Sequence, residues 1–446
     1  MNRREFTASA AAAAAGLALS TTAKSYARII GANEKVNVAT FGLNSRAYAH
    51  LSSFHANKDM VNLSHVADVD TAIMEKFAGR AEKSMGTMPA CEQDFRKVLA
   101  NKDVDAITIA APDHWHTPMA ILGMQAGKAV YVEKPCSQNI HEAELIVAAQ
   151  KKYGKVVQMG NQQRSSQHTQ DIIAKIHDGS LIGRAYYAKT WYTNGRKSIG
   201  TGKPAPVPAT LDWDLWQGPA PRQAYKDNVQ PYNWHWFKVW GTGEALNNGT
   251  HEVDVARWAM QAALPNRVSA FGGRYAYKDD WQFYDTLNTS FEYNDNKLIT
   301  WECRCCNDMP IYNRERGTAV YGETGTIIVD RDGWEHHDLK GKMLDSFDVH
   351  KGLNKTTSND LVGADSMTDA HFKNWLTAVK SGNQADLHAP VAEGAVAVKM
   401  LLMTNIAYDL KRPVIVDPAT GNFINDAQAT GMRKRAYDPK FEPKLI

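Results

Sequence analysis

The chain has 446 residues, which suits two to three domains at about 100–200 residues each. Apolar residues make up 43% and charged residues 22%, a globular balance that excludes a largely disordered chain. Lysine plus arginine number 51 against 48 aspartate plus glutamate, so the net charge is +3, and with no basic run a nucleic-acid partner is not expected.

In chain order, Arg3-Arg4 precede Phe6 and an alanine-rich apolar stretch from Ala8 to Leu19. That stretch is too short for a bilayer, which needs about 20 residues, and matches the apolar core of an export signal. Ala23, Ser25 and Ala27 offer small-residue cleavage sites. The paired arginines resemble a twin-arginine signal, so residues 1–27 are expected to send the folded protein to the Tat export machinery and the periplasm. No later segment is expected to span a membrane.

Residues 34–160 read as a nucleotide-binding domain. Val36–Phe41 is an apolar, β-branched strand. It runs into Gly42-Leu43-Asn44-Ser45-Arg46-Ala47, a turn that opens a helix. Residues 63–67 form a second strand ending at Asp68, 106–110 a third and 129–132 a fourth, with helices at 71–80 and 118–126. Strands alternating with helices imply a doubly wound parallel sheet, the Rossmann arrangement. The dinucleotide fingerprint wants glycine at its first, third and sixth positions, here Gly42, Asn44 and Ala47. Gly42, Asn44, Ser45 and Arg46 are therefore candidate cofactor contacts. Asp68 stands 26 positions after Gly42, where an acid bonds the ribose 2′-hydroxyl and repels a 2′-phosphate. NAD is expected over NADP. The alternative is that Asp68 or Asp70 only caps the next helix.

Residues 161–420 change rhythm. A strand at 156–159 leads into Asn161-Gln162-Gln163-Arg164. Longer strands follow at 184–193, 267–275, 286–293, 298–305 and 326–329, with late helices around Trp375 and at 392–408. This predicts an α+β domain with a largely antiparallel open sheet. Residues 351–360 read as a loop and 421–446 as a tail. Residues 191–237 are dense in tryptophan, tyrosine and proline, and aromatic faces suit sugar rings; a loop packed by its own tryptophans, or one covering a neighbouring subunit, would look the same. Asn247 and His251 stand four residues apart, on one face of a helix. Cys303, Cys305 and Cys306 alternate along a strand, and His114 and His116 have no third ligand nearby, so no metal is expected.

Two stretches carry a family resemblance. Ala111-Pro112-Asp113-His114-Trp115-His116 ends the third strand, and Val130-Tyr131-Val132-Glu133-Lys134-Pro135 ends the fourth. A Pro-Asp-x-x-His turn followed by Glu-Lys-Pro resembles the Gfo/Idh/MocA family of oxidoreductases. Gly241-Thr242-Gly243-Glu244 through Asn247 to His251 is similar to its third motif, with Asn247 where relatives carry aspartate. The stretch from Trp191 to Phe237 is similar to an exported branch of that family.

The resemblance implies hydride transfer between NAD and a sugar, glycoside or cyclitol. Such a reaction needs a base for the hydroxyl proton and donors for the developing alkoxide. Lys134 and His251 are the implied catalytic pair. Histidine's ordinary pKa lies close to working pH. Pro112, His116, Glu133 and Lys134 join the implied cofactor contacts. Arg164, Asn247, Trp115 and His235 are the implied substrate contacts. Homo-oligomers are expected through the open sheet. Two other readings stand beside this one: a redox-neutral glycosidase or lyase with permanently bound cofactor, and a binding protein whose site is dead because of Asn44 and Asn247.

Overall fold

The computed structural model describes residues 34–350 and 366–446. The expected signal at 1–27 and loop at 351–360 lie outside them.

The first sheet contains β1 (Val36–Phe41), β2 (Val61–Ala67), β3 (Ala90–Glu92), β4 (Ala106–Ile109), β5 (Ala129–Val132) and β6 (Val157–Met159). Its order is β3-β2-β1-β4-β5-β6 and every pairing is parallel. Strands buried on both faces read as continuous apolar runs, which is why β4 and β5 were legible. The strand order reverses between β1 and β4, and ligands of such sheets bind in the crevice at that reversal. Helix α1 (Ala47–Ala56) follows the Gly42 turn. Helix α2 (Thr71–Met85) is capped by Asp70, whose carboxylate accepts from the Ala72 and Ile73 N–H groups. That settles the capping alternative: Asp70 is the cap.

Helix α3 (Asp113–Gln125) begins five residues before the expected 118. Proline at 118 suggests a helix start, but it sits inside the helix. Its missing N–H frees the carbonyl of His114. Arg435, from the C-terminal tail, donates to that carbonyl at 3.0 Å and pairs with buried Glu142 at 2.9 Å. A remote partner absorbs the proline, which a local sequence reading cannot see.

The second sheet has ten strands: β7 (Ala185–Gly195), β8 (Arg267–Gly273), β9 (Thr286–Tyr293), β10 (Lys297–Arg304), β11 (Cys306–Asn307), β12 (Arg316–Gly322), β13 (Thr326–Val329), β14 (Gly333–His337), β15 (Met343–Asp348) and β16 (Val414–Ile415). Its order is β15-β14-β13-β12-β7-β10-β9-β8-β16, with β11 on β7. Only β7 and β10 pair in parallel; the rest are antiparallel. Alternating burial along β9 and β10 leaves one face open. The other face is covered by helices. The stretch expected as one helix around His251 is two, α4 (Gly243–Asn247) and α5 (Gly249–Ala259). The chain breaks at Asn248, and at Gly249 a Cβ would stand 3.0 Å from the Trp301 ring.

Helix α6 (Ser366–Ser381) returns to the first domain. Phe372, Trp375 and Leu376 share a core with Val36, Phe54 and Tyr131. Helix α7 (Val391–Leu410) is long and apolar enough to cross a membrane, unlike the sequence reading, but 67% of that stretch is buried inside the protein. It packs on α4, α5 and β8 as a core helix. The aromatic insertion makes its own small core, in which Trp213 stacks on Trp216 at 4.7 Å and Trp240 meets Trp216 edge-on at 5.2 Å.

Candidate active site

A narrow cleft lies at the reversal of the first sheet. Gly42 has φ of +81°, and a Cβ there would meet the Ala111 backbone at 2.5 Å. Only glycine allows that turn to close against the end of β4. The Leu43 N–H donates to Asp68 Oδ2 at 2.7 Å, and the Asp70 N–H to Oδ1 at 3.0 Å. Burial pushes Asp68 up to about 6, so it is largely ionised at neutral pH. Asn44 and Ser45 lead into α1, beside Asp68, and line the cleft. A glycine turn at a helix start with an acid at the end of β2 fits a dinucleotide. The cleft measures about 100 Å³ and is roofed by the aromatic insertion, including Leu211, Trp216, Pro231 and Trp234. The insertion is tied down at the cofactor acid: the Thr71 N–H donates to the Thr210 carbonyl at 3.0 Å and the Asp212 N–H to the Val69 carbonyl at 2.9 Å.

A second cavity of about 1020 Å³ opens beside this cleft, between the domains. Lys134, at the end of β5, places Nζ 2.5 Å from the Asn247 carbonyl and 3.3 Å from its Oδ1. Burial pushes Lys134 down to about 8 from 10.5, in spite of Glu133 and Asp113. Asn247 in turn donates from Nδ2 to the Tyr232 hydroxyl at 3.3 Å. His251 lines the same cavity. Burial first, then Arg331, Arg316, Lys134 and Arg46, hold its imidazole well below 6.5. It is neutral at working pH. His235 borders both cleft and cavity. Its Nδ1 lies 2.6 Å from the Tyr232 carbonyl, which leaves Nε2 as the acceptor, and its ring stacks on Trp234 at 3.5 Å. Burial likewise holds it well below 6.5.

Of the other expected contacts, Arg46, His116 and Glu133 line the cavity and Pro112 and Trp115 line the cleft. Arg164 does not reach the cavity: it is buried in a two-pronged ion pair with Asp254, at 2.6 and 2.9 Å, over the Trp258 ring. Its burial comes from a partner ninety residues away, invisible to local spacing. Trp115 lies in the floor of the cleft rather than in the larger cavity, with Nε1 donating to the Leu215 and Trp216 carbonyls at 3.1 Å. His116 faces the Pro135 carbonyl at 2.5 Å and the Ala111 carbonyl at 2.7 Å. The ring thus sits between the ends of β4 and β5, with a carbonyl at each nitrogen. His114 bonds the Trp216 carbonyl, and burial with Arg435 pushes it down to about 3. Glu133 is taken by Arg46 at 2.9 Å, His50 at 3.0 Å and Gln162 at 3.3 Å. Burial alone would raise its pKa, but Arg46 and His50 hold it well below the usual carboxylate range. Glu133 and Arg46 thus brace each other at the start of α1, and Pro112 lines the cleft just before α3. Cys303 and Cys305 are buried and Cys306 half-buried, all as free thiols.

Sequence reasoning missed Tyr192, Arg196, Asn248, Arg314 and Arg331, which also line the cavity. They come from separate strands and loops, so no spacing links them. Arg196 pairs with buried Glu244 at 2.9 Å and lies over the Trp236 ring.

Cleft and cavity together define a two-domain nucleotide-dependent protein, and comparison with known proteins agrees. Residues 36–161 match the oxidoreductase family model with an NAD-binding Rossmann fold, and residues 210–328 match the Gfo/Idh/MocA C-terminal domain. The chain belongs to the Gfo/Idh/MocA oxidoreductase family. A glycosyl hydrolase family 109 protein of Saccharopolyspora erythraea is 30% identical over 222 residues, 44% of this chain and 45% of that protein. The chain thus matches less than half of that relative's length. Inositol 2-dehydrogenase of Rubrobacter xylanophilus is 23% identical over 300 residues, 67% of this chain and 72% of that protein. The fold resembles levoglucosan dehydrogenase in complex with NADH and levoglucosan, with TM-score 0.64 and 16% identity over 86% of this chain and 99% of that one.

Asp68 sets a testable preference. Wild type should bind NAD more tightly than NADP, and Asp68→Ala should narrow the gap as the 2′-hydroxyl loses its acceptor. Fluorescence titration of both nucleotides measures this; tighter NADP binding by the wild type would remove Asp68 from that role.

Proposed function

We propose that the protein is an NAD-dependent oxidoreductase acting on a secondary alcohol or ketone of a sugar, glycoside or cyclitol. The observation that carries this reading is the Lys134 amino group, held by Asn247 across the domain junction and pushed down to about 8 beside the cofactor cleft. Bound NAD supplies the hydride acceptor. Lys134, in its neutral form, takes the hydroxyl proton at Nζ. Asn247 fixes the direction of that amine, and its amide cannot ionise. His251 binds the substrate oxygen as a neutral imidazole. With four cations named around it and no carboxylate at 247, its protonation is disfavoured. The general base expected at His251 is therefore reassigned to Lys134. Asp113, held by the Thr242 hydroxyl at 2.5 Å, keeps a second oxygen-binding group on the same wall.

A second reading rests on the glycosyl hydrolase family 109 relatives and on the roofed cleft, which favours a retained cofactor. In that reading the sugar is oxidised, cleaved and reduced again without net turnover of NAD. Two expectations from the N-terminus and the sheet complete the proposal: export through the Tat pathway to the periplasm, and a homo-oligomer formed on the open face of the second sheet.

The chemistry is tested with a carbohydrate panel. Net NADH formation is the expected outcome; release of an aglycone without NADH would favour the second reading. Lys134→Met should lower kcat by about 10²–10⁴. The sign of the pH dependence follows from Lys134: below about 8 the ammonium has no lone pair, so the rate of alcohol oxidation should rise with pH and level above about 8. A profile flat from pH 6 to 10 would exclude Lys134 as base. Export is tested by Arg3→Lys with Arg4→Lys, which should leave the protein in the cytoplasm; unchanged secretion of that variant would refute a twin-arginine route.

A further inference from the structure

The cavity is larger than a single sugar ring beside a nicotinamide requires. At about 1020 Å³ it stands at the top of the range that buries a drug-sized ligand. Its inner end holds Lys134, Asn247 and His251. Its outer end is walled by the β14–β15 hairpin, which lies beyond the family-model match ending at residue 328, and by a turn at Tyr312-Asn313.

That turn is unusual. Ile311 and Arg314 exchange backbone hydrogen bonds at 3.1 and 3.0 Å, which makes Tyr312-Asn313 a two-residue hairpin turn. Both central residues have positive φ, +52° and +58°. Glycine, asparagine or aspartate fit such positions, and a bulky tyrosine is strained there. Strain of this kind persists at ligand sites. The Tyr312 ring is 44% exposed and lines the cavity. It is propped edge-on against Trp191 at 5.4 Å, and its hydroxyl pairs with that of Tyr321. Phe347 on β15 also lines the cavity and is 44% exposed. It stacks on His168 at 5.5 Å. Gly333 lets β14 approach it: a Cβ there would meet the Phe347 carbonyl at 1.9 Å. Arg314 is braced between Asp330 at 2.5 Å and Glu335 at 2.9 Å, which stiffens the wall behind the turn. Two propped, solvent-facing aromatic rings interspersed with charged and amide groups suit the apolar faces and hydroxyl edges of a pyranose.

We propose that Tyr312 and Phe347 form an outer saccharide subsite, so that the substrate has two or more sugar rings: one oxidised at Lys134, the next held at Tyr312. This rests on the carbohydrate oxidoreductase reading above.

The test uses the full chain loaded with NAD, and Tyr312→Asn. Asparagine tolerates left-handed backbone, so the variant keeps the turn and should melt at the wild-type temperature. Isothermal titration and NAD reduction are measured with paired sugars: glucose and cellobiose, galactose and lactose, xylose and xylobiose. One disaccharide should bind at least about tenfold more tightly than its monosaccharide. Tyr312→Asn should weaken that disaccharide about three- to tenfold, the scale of one aromatic contact, and leave the monosaccharide unchanged. Equal affinities within every pair, or equal losses for both members in the variant, would overturn the subsite and leave the oxidoreductase reading standing. Altered sedimentation of the variant with unchanged sugar affinities would assign the surface to a second copy of the chain and overturn it too. If no sugar in the panel binds or is oxidised, the oxidoreductase reading falls, and the subsite with it.

Discussion

The Lys134–Asn247 contact joins the two halves of this protein. Lys134 is fixed by β5 and the end of the parallel sheet, whereas Asn247 is fixed by α4 against the second domain. The two meet across 113 residues of chain at 2.5 Å. Their approach puts one amine between the nucleotide cleft and the larger cavity. It also takes that amine partly out of water, and that burial lowers its affinity for a proton. Geometry and acidity have the same cause.

Charge is divided between bracing and chemistry. Glu133 spends its carboxylate on Arg46, His50 and Gln162, which holds the start of α1 in place for a nucleotide. Arg196 and Glu244, and Arg164 and Asp254, are likewise paired within the second domain's walls, with both carboxylates buried. Breaking a buried pair leaves an uncompensated charge costing about 3–5 kcal/mol, so such residues behave as scaffold even when they border a site. The strongest charges acting on His251 are the cations Arg331, Arg316, Lys134 and Arg46, and position 247 carries an amide rather than a carboxylate. A neutral imidazole at that position suits an oxygen ligand better than a bound proton. The C-terminal tail adds one more brace. Arg435 satisfies the carbonyl that Pro118 leaves open in α3, and Phe441 packs on Trp115 under the cleft.

Much of the first domain was legible because a doubly covered parallel sheet writes itself as short apolar runs. β1, β4 and β5 were read to within a residue of their observed ends, and Gly42 and Asp68 stand together as their spacing required. β3 escaped because its three residues are mostly exposed and carry no pattern. In the second domain β7, β8, β9, β10 and β13 were readable, but β11, β12, β14, β15 and β16 were not: β12 is buried at five of its seven residues and does not alternate, β11 and β16 have two residues each, and β15 is exposed along its whole length. At the site, legibility stopped at tertiary partners. Nothing near Arg164 announces Asp254, and nothing near His116 announces the two carbonyls that flank its ring. The break at Asn248 depends on Trp301, which is far away in sequence. Motif spacing located the pocket; only packing decided which members of the motif face into it.

The central claim is that burial at the domain junction makes Lys134 a proton acceptor near neutral pH. The most direct measurement is an NMR titration of ¹⁵N-labelled lysine side chains in the NAD-bound protein, with Lys134→Arg assigning the signal. The account predicts one amino group titrating near 8. A Lys134 signal that titrates near 10.5 would contradict it.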